Sequence, residues 1–297
     1  MSSPPRSRAS SPGPGRGGAR GGPCGRRAVL SPTDARAALP VRRVVRVRRT
    51  LRLVGHLTAR EFRVRYSSAV LGWLWALAPV VVRFCVLGLV FSALLPDRGP
   101  DYLADLAVGV LAWTWFSAGL LAATTSAVDR SDLLSQPALP REVVPVVSVL
   151  TDAFDYLAGL PVLVAVVLLD TGRLPVTALL FPVLLLLQGC LTAGLGMAAT
   201  VGDVRLRDTR LAVGLALAVG IYVTPVFYAT DAVPAPLREL VRWNPVGVLI
   251  EAQRDVLVAG TLPSARVLLG LTGCCLGVLV AGWALHRRHS PTFLDHL

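Results

Sequence analysis

TLRLVGHLTAREFRVRYSSAVLGWLWALA, residues 50–78, is the stretch that decides the fold: an Arg-studded segment runs into Trp73 and Trp75 and then into an apolar span. At about 100° per residue, Arg49, Arg52, His56, Arg60 and Arg63 fall on one helical face. Leu51, Leu53, Val54, Leu57 and Phe62 lie elsewhere around the helix. That pattern describes a basic amphipathic helix lying flat at a membrane interface. A solvated face on a soluble helix is the plainer reading of such a charge pattern, and the adjoining apolar span favours the interface.

Composition agrees. Hydrophobic residues make up 54% of the 297-residue chain, charged residues only 16%, and the mean hydropathy is +0.61. A soluble protein of this length carries more charge, so the composition predicts a polytopic membrane protein. The net charge of +12 is local: residues 1–65 hold 16 Arg against Asp34 and Glu61, and the remainder is slightly acidic. An excess confined to the N-terminal region fits an anionic membrane leaflet and argues against a nucleic-acid partner.

All 30 basic residues are Arg. A phosphate-binding loop ending in Gly-Lys-Ser/Thr needs a Lys to reach the β- and γ-phosphates, so this polypeptide has no such ATPase site of its own. Any ATP-driven work falls to a partner chain. The five cysteines, Cys24, Cys85, Cys190, Cys274 and Cys275, show no C-x-x-C spacing, and the last four lie in apolar runs. They are expected to be small buried hydrophobes, with no metal site and no disulfide.

Residues 1–40 are rich in Ser, Pro, Gly and Arg and are expected to be a disordered tail. The first apolar run begins near residue 70, which predicts no cleaved signal peptide. Residues 41–69 form the interface-helix segment and 70–297 the membrane domain. Hydropathy gives six spans, near 72–95, 104–127, 147–169, 176–200, 210–228 and 265–285, each close to the ~20 residues that cross a bilayer. The expected fold is therefore all-α, with six transmembrane helices after the amphipathic helix. The basic N-terminus, with Arg130, Arg141, Arg205, Arg207, Arg287 and Arg288, outweighs the mostly acid-balanced Arg98, Arg173, Arg238, Arg242 and Arg254, placing both termini in the cytoplasm.

The order of RYSSAVLGWLWALAPVV (65–81), DLLSQPALPREVVPVVSVL (132–150), VGDVRLRDTRL (201–211), TPVFYATDAVP (224–234) and WNPVGVLIEAQRDVLVAG (243–260) resembles the permease subunit of type-2 ABC exporters. Within them it is most similar to the branch that exports O-antigen polysaccharides, teichoic acids and related surface glycans. The resemblance covers about residues 45–297 and rests on order and spacing, since each motif is short.

The resemblance implies a permease of the bacterial cytoplasmic membrane that binds no cofactor itself. It would act as two copies, with two copies of a separate ATPase that holds ATP and Mg. It implies a coupling region around Leu133, Leu134, Pro140, Arg141 and Glu142, a short cytoplasmic helix seated in a groove of the ATPase. Pro140 suits its first turn and Pro145 limits its length. A plain connecting loop is the alternative, which the stiffening by Pro137, Pro140 and Pro145 argues against. Arg205, Arg207, Asp208 and Arg210 form the second inner loop, either a further ATPase contact or a positive-inside anchor. The segment before the last span, broken at Asn244-Pro245, is expected to hold short re-entrant helices. There Glu251, Arg254 and Asp255 either line an aqueous exit or pair with one another at the surface.

In such exporters the first and fifth spans of two copies line the conduit, which points to Trp73, Trp75, Arg83, Phe84, Tyr222, Phe227 and Tyr228. Aromatic faces suit the C–H faces of sugars, while Trp73, Trp75, Trp113, Trp115 and Trp243 also fit as interface anchors. Arg83 lies mid-span, where a charge costs at least ~2.5 kcal/mol. It either meets an anionic glycan, snorkels, or pairs with Asp152 or Asp155. A drug or antibiotic exporter is the runner-up. A membrane enzyme acting on lipid-linked sugars is the other class, but His56, His286, His289 and His296 lie near the termini. Asp152 and Asp155, one turn apart within a span, have no companion metal motif.

Overall fold

The computed structural model describes residues 50, 52–65, 74–94, 101–131, 140–228, 239, 241 and 243–295, all within the unit Val47–Leu297. The tail at 1–40, Arg49, Trp73, Leu133 and Leu134 lie outside the described residues. Every regular element among the described residues is helical. α1 covers 52–65, α2 Leu74–Leu94, α3 Tyr102–Asp129 and α4 Val143–Thr171. A 3-10 turn, Val176–Leu180, leads into α5, Phe181–Arg205, and α6 is Asp208–Val223. α7, Pro245–Arg254, continues as a π-helical turn, Asp255–Ala259, before α8, Ala265–His289, and a closing 3-10 segment, Ser290–Asp295.

Among the described residues, four helices are long and apolar enough to cross a membrane: α3, α4, α5 with its leading turn, and α8. α2 and α6 are further apolar helices, α6 with only 16 residues. The expected span 210–228 stops short because Thr224 is extended (φ −83°, ψ 140°). The residue before a proline is driven out of the helical region, and Pro225 follows it. The chain from Thr224 to Tyr228 is instead a buried turn beside α3.

α3 is the centre of the bundle. It packs on α4 and α5, α8 packs on the far side of α5, α6 flanks α3 more loosely, and α2 lies chiefly against α4. Trp113 and Trp115 are 7% and 6% exposed, so they are core residues, and the interface-anchor reading of them is corrected. Trp115 Nε1 donates to the Val149 carbonyl of α4 at 3.2 Å. Trp243, 83% exposed, keeps the surface position expected of an anchor. Among the described cysteines, Cys85 and Cys274 are exposed, Cys190 is half-buried and Cys275 is buried, so the small-buried-hydrophobe reading holds for Cys275 and fails for Cys85 and Cys274.

Small residues let α5 and α8 touch backbone to backbone. A Cβ placed on Gly282 would lie 2.0 Å from the Gly194 carbonyl oxygen, closer than any side chain tolerates. Such close approach replaces the hydrophobic drive that is missing between helices in lipid. Polar side chains add cross-links within the core. Gln188 Nε2 donates to the Ala112 carbonyl at 2.8 Å, and Gln253 Nε2 donates to Gln188 Oε1 at 2.7 Å, joining α3, α5 and α7.

Candidate functional site

α1 begins the site. Its sequence puts Val54, Leu57, Thr58 and Phe62 on one side, and that side is turned to the protein: Val54 and Leu57 pack with Val143, Val146 and Val147 of α4. Phe62 stacks at 5.3 Å on Phe154. Arg52, His56, Arg60 and Arg63 are exposed on the opposite side. The apolar face of this helix thus meets α4, where the flat interfacial reading had it meet lipid.

Two residues of α1, Glu61 and Arg65, fasten it through three ion pairs. Arg130 at the end of α3 pairs with Glu61 at 2.5 Å and also donates to Ser148 Oγ of α4. Arg65 Nη1 reaches Asp152 at 2.9 Å and Asp155 at 2.6 Å. Burial works against the Arg65 charge, but the hydrogen bonds and charges of Asp152 and Asp155 outweigh it and hold its pKa above the ordinary value. The partner of the aspartates is therefore Arg65, and the proposed pairing of Arg83 with them is corrected. Arg83 is exposed on α2 and its Nη1 donates to Thr114 Oγ1 of α3. α1 brings Arg65 to the aspartates from outside the span, a cheaper route than burying a charge on α2.

Asp152, Asp155 and Tyr156 share one face of α4, at spacings of three and four. They line a recess of about 140 Å³ with Pro79, Val80, Leu111, Thr114, Trp115 and Ala118. Asp152 and Ala118 also line a wider, open crevice of about 540 Å³ whose other walls are Leu121, Ala122, Thr125 and Arg210. Arg210, in the first turns of α6, is held by the fully buried side chain of Asp203 through Nε at 3.1 Å and Nη2 at 3.3 Å. Arg65, Arg130 and Arg210 all lie at one end of the bundle, the end where α1 docks.

At the same end, the described part of the expected coupling region is a turn. Pro140 is exposed, Val143 N–H bonds the Pro140 carbonyl at 3.0 Å, and α4 starts at once. Pro145 sits inside the first turn of this 29-residue helix, where its missing N–H has no partner to lose, so it limits no separate helix. Arg141 donates to the Ser290 carbonyl beyond α8. His286, 1% exposed, donates from Nδ1 to the Met197 carbonyl at 3.3 Å and meets the Phe293 ring edge-on at 5.1 Å. Position near the chain end gave no hint of this burial. Arg205, Arg207 and Asp208 are exposed at the α5–α6 turn.

At the other end, Arg254 forms no salt bridge with Glu251 or Asp255 among the described residues. It donates to the carbonyls of Asp105 at 3.0 Å, Val226 at 2.7 Å and Tyr228 at 3.3 Å. Asn244 caps α7 through Val246 N–H at 3.1 Å and donates to Thr224 Oγ1 at 2.8 Å. Of the expected conduit aromatics, Tyr222 is 71% exposed, and Phe84 and Phe227 are half-buried against the core. Tyr228 donates its hydroxyl to the Tyr222 carbonyl at 3.0 Å, and Trp75 lies in the first turn of α2.

The family model for ABC-2 type transporters matches residues 52–258, from the start of α1 to the π-helical turn. This chain belongs to the ABC-2 type transporter family. The transporter is 26% identical over 226 residues to an O-antigen export system permease protein RfbA of Klebsiella pneumoniae, covering 75% of this chain and 87% of that one. A second Klebsiella pneumoniae protein of that name is 25% identical over 244 residues, covering 81% and 93%. The Myxococcus xanthus protein so named is 26% identical over 244 residues, covering 81% and 94%. As an ABC-2 transporter with several apolar helices, the chain is a multi-pass membrane protein and the membrane subunit of a transport system.

Proposed function

We propose that this ABC-2 transporter is the permease of an ATP-driven exporter that moves a lipid-linked surface polysaccharide, or a polyol-phosphate polymer such as a teichoic acid, out across the bacterial cytoplasmic membrane. The observation that carries it is the agreement of three relatives named as O-antigen export permeases, each matched over most of its length. The open crevice beside Asp152 and Arg210, two charged side chains set among apolar walls, supports it.

In this reading α2, α3, α4, α5, α6 and α8 are the six spans of domain 70–297, with both termini cytoplasmic. α7 and its π-helical turn are the re-entrant element before the last span. One copy is half a conduit. Two copies join through the exposed faces of α2 and α6, on which Val82, Arg83, Leu89, Leu215 and Tyr222 are exposed. Two ATPase chains bind ATP and Mg, since this chain has no Lys for a phosphate loop. Closure of the ATPase pair pushes the Leu133–Glu142 region, and α4, which follows without a break, carries that motion to α1 and to the crevice. The Arg205, Arg207 and Asp208 turn is the second contact with the ATPase.

The test is depletion of the protein in its host. Loss of surface glycan with accumulation of lipid-linked glycan on the cytoplasmic face is the expected result. Normal surface glycan with new sensitivity to a small toxic compound overturns the reading in favour of drug export.

A further inference from the structure

We propose that the two recesses meeting at Asp152 hold the phosphate-linked sugar end of the substrate, with Arg210 on the phosphate and Asp152 and Tyr156 on sugar hydroxyls. This rests on the export reading and adds which groups of the chain hold the cargo.

Two atoms in the narrower recess are unexplained by the fold. Asp152, 7% exposed, and Tyr156, 3% exposed, line it, and among the described residues neither Asp152 Oδ2 nor the Tyr156 hydroxyl has a hydrogen-bond partner. Buried polar atoms are almost always paired, because an unpaired one forfeits its hydration for nothing. A carboxylate oxygen only accepts, while a phenol both donates and accepts, so together they match the hydroxyls of a sugar ring. The remaining walls, Val80, Leu111 and Trp115, offer an apolar surface to the ring's C–H face. At about 140 Å³ the recess exceeds the room of a single water and suits one sugar unit.

Arg210 supplies the anion site next door. Asp203 occupies its Nε and Nη2 and fixes the guanidinium, and the side chain remains 33% exposed beside the crevice. A guanidinium pre-oriented in this way suits a phosphate better than a flexible ammonium does. Ala118, Ala122 and Thr125 are small enough to admit a bulky head group. Ala118 and Asp152 belong to both recesses, so a phosphate at Arg210 and the sugar it carries fit side by side. Arg65, bridging Asp152 and Asp155, offsets the carboxylate charge that would otherwise repel the phosphate.

A phosphate next to hydroxyls is also the chemistry of a glycerophospholipid head, and the experiment separates the two sources. The full chain with its ATPase, in phosphatidylethanolamine nanodiscs, is titrated with farnesyl diphosphate and with farnesyl-diphosphate N-acetylglucosamine. The sugar-bearing probe is expected to bind about tenfold more tightly. Tyr156→Phe, which keeps the ring and its packing, removes that advantage and leaves farnesyl diphosphate binding unchanged. Arg210→Gln weakens both probes about tenfold, and Arg210→Lys, which keeps the charge beside Asp203, stands in if that variant fails to fold. Equal binding of the two probes, unaltered affinities in the variants, or displacement by phosphatidylglycerol overturns the proposal. In cells, Tyr156→Phe with full surface glycan, where depletion abolishes it, removes the site and leaves export standing. Depletion that leaves the glycan intact removes the export reading itself.

Discussion

Arg254 is the residue whose chemistry differs most from what its surroundings in sequence imply. Flanked by Glu251 and Asp255, it looks like a member of a surface ion pair, yet it donates to three backbone carbonyls on α3 and the 224–228 turn. Two of those carbonyls, of Val226 and Tyr228, lie past the end of α6 at Val223, outside its helical ladder. Arg254→Met is therefore expected to destabilise the protein by roughly 3 kcal/mol, read as a fall in the thermal unfolding midpoint in detergent. Arg254→Lys recovers only part of this, because a single ammonium cannot reproduce the planar fork. An unchanged midpoint for Arg254→Met contradicts the assignment. Gly109 shares the same crowding: a Cβ there would lie 2.6 Å from the Val226 carbonyl oxygen and 2.7 Å from Arg254 Nη2.

At the scale of elements, α1 is a latched helix. Its buried contacts are few, Val54, Leu57, Thr58 and Phe62, and each of its three ion pairs has at least one partly exposed partner, so each contributes on the order of 1 kcal/mol. A lightly held element of this kind suits a part that moves with α4. In a cysteine-free background, Thr58→Cys, at a position 2% exposed, is expected to resist a water-soluble maleimide. Adding Glu61→Gln and Arg65→Gln is expected to raise its labelling rate severalfold; an unchanged rate contradicts the latch. The α5–α8 crossing is the opposite case. Gly282→Leu is expected to prevent their close approach and lower the yield of folded protein, while Gly277→Leu, with open space beside it, is tolerated.

The elements also show what the sequence makes legible. Span 104–127 became Tyr102–Asp129 and 265–285 became Ala265–His289, because long apolar runs fix helices locally. Thr224-Pro225 carried a legible stop signal for α6 that hydropathy averaging hides. The four-residue cluster Trp113–Phe116 lies in a helix apolar on every side, a pattern of burial and not of anchoring. The partner of Asp152 was not legible: Arg65 is 87 positions away, and only packing of α1 on α4 brings it there. His286 was hidden for the same reason, since its burial comes from packing against Met197 of α5 and the Phe293 ring.

For the molecule as a whole, the proposed coupling of the permease to an ATPase runs through Leu133–Glu142 and α4. Glu142→Arg is expected to leave membrane insertion normal and to remove the stimulation of ATP hydrolysis by transport substrate; retained stimulation contradicts that route. The central claim is ATP-driven export, and the direct test is reconstitution of the chain with its ATPase in liposomes carrying lipid-linked glycan. The account predicts that a membrane-impermeant glycosidase on the far side gains access to the glycan only when ATP is supplied on the ATPase side. Access that is the same with and without ATP contradicts it.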